Sequence, residues 1–258
     1  MDYKKYLENS ITAAELACQE IIKVYNSKDF QTEIKSDNSP LTLADKRANT
    51  AIVSVLGQTG IPVLSEEGKS IPYETRRQWE YLWLVDPLDG TKEFLKRNGE
   101  FTVNIALIHN QKPVLGVVAV PVTGEVYFAS EGNGAFVKRN GQPVALSKRE
   151  HVDLNQPGLR VVASRSHLDE ETKAFVASLT DPVLISSGSS LKFMLLAEGK
   201  ADIYPRFAPT MEWDTAAAHA IVKEVGIAVV QKNSKEELVY NKPDLLNPHF
   251  ISGHQLIV

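Results

Sequence analysis

The stretch Tyr81-Leu82-Trp83-Leu84-Val85 is a short, unbroken apolar run, the pattern of a strand covered on both faces. It ends on two aspartates, Asp86 and Asp89, with Pro87 and Leu88 between them and Gly90-Thr91 behind. A strand sealed on both sides needs layers above and below it. Its end then delivers two carboxylates into one small volume, where they repel and lose hydration unless something positive joins them. A solvated loop is the plain alternative, with Asp86 opening a turn and Asp89 capping a helix that starts near Thr91. That account covers Asp89 but not Asp86, nor the acidic Ser65-Glu66-Glu67 that precedes the same sheet edge. A calcium loop of the EF-hand type fails too, because the twelfth position counted from Asp86 is Arg97 instead of a glutamate. Magnesium fits the pattern better, since it takes oxygen ligands, keeps some water and works with substrate phosphate. Pro87 would stiffen the turn that returns Asp89 to the cluster, and the helix opening at Gly90-Thr91 would offer free N–H groups to an anion.

The rest of the chain supplies such layers. Leu7, Ile11, Ala14, Cys18, Ile21 and Tyr25 recur at helical steps, predicting a first helix, and a second is expected over Leu43–Leu56, ended by Gly57 and Gly60. The stretches 61–67 and 81–87 read as short buried strands. From Phe101 the pattern turns to hairpins, with alternation in Val103, Ile105 and Leu107 and tight-turn signals around Gly134 and Gly141. Beyond Leu159 strands and helices alternate. Strands are expected at 158–164, 182–186, 201–205 and 226–230, and helices at Glu170–Leu179, Ser190–Glu198 and Trp213–Val225. Gly199 and Gly226 would close the last two helices. The expected organisation is an antiparallel lobe over residues 1–152 and an α/β lobe over 153–258.

Composition removes other classes. A net charge of -4 offers no electrostatic footprint for a nucleic acid polymer. No run approaches the roughly 18 apolar residues of a membrane span, and the N-terminus lacks a signal-peptide pattern. Cys18 is the sole cysteine, so no intrachain disulfide can form, which fits a cytoplasmic location; association with a membrane surface stays compatible with the sequence.

Taken together, Ser65-Glu66-Glu67, the run Trp83 to Thr91 and the stretch Glu212-Trp213-Asp214 with the helix it opens strongly resemble the inositol monophosphatase superfamily. The likeness runs from about Asp37 to the last helix. It implies an α/β fold, a two-lobed αβαβα layered sandwich of the sugar-phosphatase type, with the active site between the lobes. It also implies a magnesium-dependent, lithium-sensitive phosphomonoesterase using two or three Mg2+ ions. Carried over by position, Glu66, Asp86, the Leu88 carbonyl, Asp89 and Asp214 would hold metal, with Glu67 as an outer neighbour of Glu66. Glu66, Thr91 and Asp45 would orient or deprotonate the attacking water. Each has a structural rival: an exposed acidic turn for Glu66, a favourable helix N-terminal charge for Asp214, and a capping box for Asp45, which follows Thr42 by three residues.

Inositol-specific members carry a glutamate shortly before the Trp-Asp pair, where this chain presents Arg206 in a slightly longer loop. Upstream, Gly188-Ser189-Ser190 with Lys192 makes a second anion cradle at a helix start, and His167 could stack on or bond to a purine. With Leu88, Asp89, Gly90, Thr91 and Asp214 these form the expected substrate set. Its alternative is ordinary: Lys192 and Arg206 as surface cations and His167 as a loop histidine. Jointly, and with the stretch 92–108, they resemble the 3'(2'),5'-bisphosphate nucleotidase branch in its bacterial form. The resemblance implies hydrolysis of adenosine 3',5'-bisphosphate, and by extension the 5'-phosphosulfate nucleotide, to clear a by-product of sulfate assimilation. Inositol or another sugar monophosphate is the alternative substrate, and a silent nucleotide- or metal-binding regulator is the alternative outside enzymes.

Overall fold

The computed structural model describes residues 3–27, 33–34, 40–148, 152–164 and 169–254. Helix α1 (Lys4–Tyr25) leads through a two-stranded ribbon, β1 (Glu33–Ile34) and β2 (Pro40–Leu41), to α2 (Leu43–Leu56). The two helices lie together on one face of a seven-stranded sheet. That sheet runs in chain order through β3 (Val63–Ser65), β4 (Tyr81–Asp89), β5 (Thr102–His109), β6 (Lys112–Val120), β7 (Glu125–Ser130), β8 (Ala135–Arg139) and β9 (Gln142–Ala145). β3 pairs parallel to β4 and the remaining pairs are antiparallel. Short helices α3 (Tyr73–Arg76) and α4 (Thr91–Leu95) flank β4.

A second sheet follows, built from β10 (Arg160–Ser164), β11 (Val183–Ser187), β12 (Ile203–Arg206), β13 (Ile227–Gln231) and β14 (Phe250–His254) in the order β11-β10-β12-β14-β13. Helices α5 (Glu170–Ala177), α6 (Leu191–Ala197) and α7 (Glu212–Glu224) connect these strands. α6 and α7 are sandwiched between the two sheets in one apolar cluster, while α5 covers the far face of the second sheet. The layer order is therefore helix, sheet, helix, sheet, helix, the expected αβαβα arrangement.

Two packing facts position the site. Trp83, Val85, Val103, Ile105 and Leu107 face α1 and α2, whereas Leu82, Leu84, Ala106 and Ile108 face α6 and α7. Both faces are apolar, which is why β4 reads as an unbroken run instead of an alternation. By the two-residue period of a strand, Asp86 continues the face of Leu82 and Leu84, and Thr102 and Asn104 continue that of Ala106. These polar side chains therefore aim at the central helices. There, α7 lies so close to the sheet that a Cβ on Gly116 would stand 2.1 Å from the Ala217 carbonyl oxygen. Gly116 and the alanines Ala216–Ala218 are what let the helix start where it does.

Two expectations are corrected here. β14 escaped the sequence reading, and it makes the second sheet mixed, inserting antiparallel between β12 and β13. Its buried inward residue Ser252 and its Gly253 break the apolar alternation that marks a strand. Asp89 does not cap α4: that cap position is Gly90, with no side-chain cap bond, and Asp89 is the last residue of β4.

Candidate active site

Asp86, Asp89 and Asp214 each place a carboxylate oxygen within 4.8 Å of the others. The first two converge because the register of β4 against β5 shifts between them. The Leu88 N–H donates back to Asp86 Oδ1 at 3.0 Å, closing the turn around Pro87 and keeping the Leu88 carbonyl beside the cluster, where Thr91 Oγ1 donates to it at 3.4 Å. Asp214 arrives from the other side in the first turn of α7, its Oδ2 accepting from the Met211 N–H at 2.8 Å. It thus occupies the helix-start position anticipated for it and faces the cluster as well. Glu66, half-buried after β3, is close enough to Asp86 to act on its charge and to hydrogen-bond it. Asp86, Asp89 and Asp214 are brought together, Glu66 reaches them through Asp86, and Glu67 is half-buried next to it in the chain.

The electrostatics of this cluster are those of a site made for a cation. Burial raises the Asp86 carboxyl well above the usual carboxylate range, and the charges of Glu66, Asp89 and Asp214 push it further. Asp214 moves the same way, through burial first and then Asp89 and Glu66. Asp89 is also raised by burial, with Lys192, Asn104 and Ser190 pulling it back. An all-oxygen donor set of crowded carboxylates plus a backbone carbonyl suits a hard divalent cation. The residues fit magnesium.

Asp45 divides its work. Its Oδ2 accepts from the Thr42 N–H at 2.7 Å and from Thr42 Oγ1 at 2.6 Å, completing the capping box at the start of α2. Its Oδ1 faces Thr91 Oγ1 at 3.3 Å. The two accounts of this residue are therefore not exclusive, because each uses a different oxygen.

Beside the carboxylates opens a cleft lined by Asp89, Gly90, Ser189, Lys192, Arg206 and Asp214, among others. Gly90, at φ +94°, has no room for a side chain, since a Cβ there would lie 2.1 Å from Ser189 Oγ. Ser189 donates to the carbonyls of Asp89 and Glu100, both at 2.8 Å, and locks the two sides of the cleft. Lys192 is buried, so it is not a surface cation; it donates to the Ser189 carbonyl at 2.7 Å and lies over the Tyr204 ring. Burial pulls its ammonium down to about 8, against the upward pull of Asp89. Arg206, at the end of β12, is half-buried and donates to the Pro209 carbonyl at 3.2 Å. His167 lies outside the described residues.

Two residues at the site, Thr102 and Asn104, carry no motif that singles them out in the sequence. Thr102 Oγ1 and Asn104 Nδ2 both donate to Asp89 Oδ2 at 3.4 Å. Asn104 also donates to Ser190 Oγ at 3.0 Å, and Ser190 donates to the Asp214 carbonyl at 3.0 Å. This chain of bonds links the strand aspartate to the helix aspartate. The available signal was modest: two polar residues on one face of the otherwise apolar strand 102–109.

Comparison with known proteins agrees with this geometry. The model of the inositol monophosphatase family matches residues 2–256. The chain belongs to the inositol monophosphatase family. It is 46% identical over 247 residues to the 3'(2'),5'-bisphosphate nucleotidase CysQ of Salmonella typhimurium, covering 95% of this chain and 98% of that protein. Among solved structures, CysQ from Bacteroides thetaiotaomicron, a bacterial member of the family, superposes with a TM-score of 0.86 at 50% identity over 98% of each chain. The Thermotoga maritima IMPase shares the fold at a TM-score of 0.79 and 25% identity, over 98% of this chain and 93% of that one. The family is metal-dependent, in keeping with the carboxylate cluster. Among the described residues, no helix is long and apolar enough to cross a membrane.

Proposed function

We propose that this protein is a magnesium-dependent 3'(2'),5'-bisphosphate nucleotidase that releases the 3'-phosphate of adenosine 3',5'-bisphosphate as inorganic phosphate, leaving AMP. The observation that carries the reading is the buried Lys192 in the cleft beside the carboxylates. A nucleoside bisphosphate brings a second phosphate to this buried cation, which a substrate whose single phosphate sits at the carboxylates does not. The high identity to proteins named for this activity supports the same reading.

Glu66, Asp86, Asp89, Asp214 and the Leu88 carbonyl would hold two or three magnesium ions. Bound there, magnesium supplies a Lewis acid for the phosphoryl oxygens and makes water a stronger acid. The chain's own residues do the rest. Asp45 Oδ1 accepts a hydrogen bond from the Thr91 hydroxyl. As Thr91 Oγ1 takes a proton from the attacking water, its own proton passes to Asp45, while the 3'-oxygen that leaves phosphorus takes a proton from solvent. Glu66 shares the orientation of that water. Gly90, which leaves no side chain in the way, would let the chain pass close to the reacting phosphate, while Ser189, Lys192 and Arg206, and His167 by its place in the sequence, would meet the second phosphate, ribose or base. A cytoplasmic setting fits such a substrate.

Phosphate release from adenosine 3',5'-bisphosphate and from inositol 1-phosphate, each with and without magnesium, tests this. Metal-dependent turnover that strongly favours the bisphosphate is expected. Preference for inositol 1-phosphate would make the protein a sugar monophosphatase, and absence of turnover on either would remove the enzymatic assignment.

A further inference from the structure

Glu212, the first residue of α7 and two positions before Asp214, is fully buried. Its Oε2 accepts from the Asn241 N–H at 2.5 Å, and its Oε1 accepts from the Lys242 N–H at 3.0 Å and from Lys242 Nζ at 2.5 Å. The same helix turn is gripped further along the segment. The Glu212 N–H donates to the Leu245 carbonyl at 2.9 Å, and Asn247 Nδ2 donates to the Met211 carbonyl at 2.7 Å and to Thr215 Oγ1 at 3.0 Å.

The opposite edge of this segment is tied to the other side of the site. Asn241 Nδ2 donates to the Arg76 carbonyl at 2.8 Å, and its Oδ1 accepts from Arg76 Nη1 at 3.0 Å. The Arg76 guanidinium also donates to the carbonyls of Lys242 at 2.5 Å, Pro243 at 2.8 Å and Ile71 at 3.3 Å. Arg76 is buried in α3, on the connection that runs from Glu66 to β4. Residues 243–245 share with Glu66, Ile71 and Trp213 the walls of one cleft.

We infer that residues 240–247, fastened by Glu212, Lys242, Asn241 and Arg76, form a strap that fixes Asp214 relative to Glu66 and thereby sets the magnesium affinity of the carboxylate cluster, an inference resting on the metal reading above. The two carboxylates stand on chain segments far apart in sequence and repel each other, so an unrestrained α7 start would relax outward. Burying the charge of Glu212 is expensive, and an apolar contact of the same volume would stabilise as well or better. Fixing a position is what directional, charge-assisted bonds do and apolar contacts do not.

The test is the rise in melting temperature of the substrate-free protein as magnesium is titrated, with kcat measured separately at saturating magnesium. Lys242→Met and Glu212→Gln are expected to need about tenfold more magnesium, or beyond, to reach the same rise as the parent, as other residues that support metal ligands do. At saturating metal kcat should largely recover, and Lys242→Arg should restore the parent's magnesium dependence of melting. Tyr127→Phe removes a hydrogen bond to Glu198 that involves no residue of the strap and serves as the destabilised control. Should Glu212→Gln fail to fold, Lys242→Met decides alone, since its ammonium is partly exposed. Lower melting in magnesium-free buffer with an unchanged rise at each magnesium concentration in Lys242→Met makes the strap merely structural and overturns the inference. A parent protein that magnesium does not stabilise at all overturns the metal reading itself.

Discussion

Asp45→Asn separates capping from chemistry because the side chain's two oxygens have different partners. Two donors from Thr42 converge on Oδ2, at 2.7 and 2.6 Å. An asparagine must keep its carbonyl oxygen there, since an NH2 would face the Thr42 N–H. The amide nitrogen is then forced into the Oδ1 position, 3.3 Å from Thr91 Oγ1. The hydrogen bond reverses: Thr91 must now accept, its own proton turns to the Leu88 carbonyl at 3.4 Å or to the water, and no carboxylate remains to take that proton on. Loss of a positioned general base costs about 100- to 10,000-fold in rate. The cap survives in neutral form, so stability should fall by no more than about 1 kcal/mol, or roughly 2–4 °C in melting temperature for a chain of this size. Thr42→Ala gives the complementary result. It removes the hydroxyl that accepts from the Ala44 N–H at 3.1 Å, which should cost about 0.5–2 kcal/mol with kcat little changed. Turnover at saturating magnesium and thermal melting on the same two variants decide the question. If Asp45→Asn melts well below the parent yet keeps its kcat, Asp45 is a cap and the Thr91 relay is wrong.

Asp86→Asn should abolish most turnover at saturating magnesium, yet in chelator it should melt above the parent, because one of several mutually repelling buried carboxylates is gone; a variant as active as the parent would refute the metal assignment. Lys192→Ala should raise KM for adenosine 3',5'-bisphosphate by about ten- to a hundredfold, the scale of a lost charge-assisted bond, and leave hydrolysis of a nucleoside monophosphate nearly unchanged. Equal losses on both substrates would assign Lys192 to the fold. Burial holds His219 down at about 4, so the folded state resists protonation that the unfolded chain accepts below 6.5. Stability is intact above that range and lost as pH falls through it, by about 2 kcal/mol at pH 5. His219→Gln should flatten the fall, measured as the difference in urea stability between pH 7 and pH 5, and an equally steep fall in the variant would place its origin elsewhere.

What could be read from the sequence was what is local. The run Trp83 to Val85 announced a strand covered on both faces, and Asp86 stood out because a charge at its end contradicts its neighbours. Gly199 and Gly226 marked helix ends correctly, both with positive φ, at 69° and 85°. β14 was missed because its pairing on both sides, not its own composition, makes it a strand. Its buried Ser252 is tolerated inside a sheet that supplies the backbone bonds.

The same distinction explains which site residues stayed hidden. Asp86, Asp89 and Gly90 lie in one short motif, so their conflict with an ordinary strand is visible in a few residues. Glu212 and Arg76 carry no such conflict, since a glutamate at a helix start and an arginine in a short helix are unremarkable by themselves. Their meaning comes from Asn241, which bonds Arg76 across 165 positions and Glu212 across 29, and no periodicity links them. Only the fold reveals that both are buried and that a single segment holds them. The cluster's demand for positive charge was thus legible, whereas the means of holding its members together at a fixed spacing was not. A repulsive cluster requires both, because a cation binds tightly only where the ligands have already been prevented from relaxing away from one another.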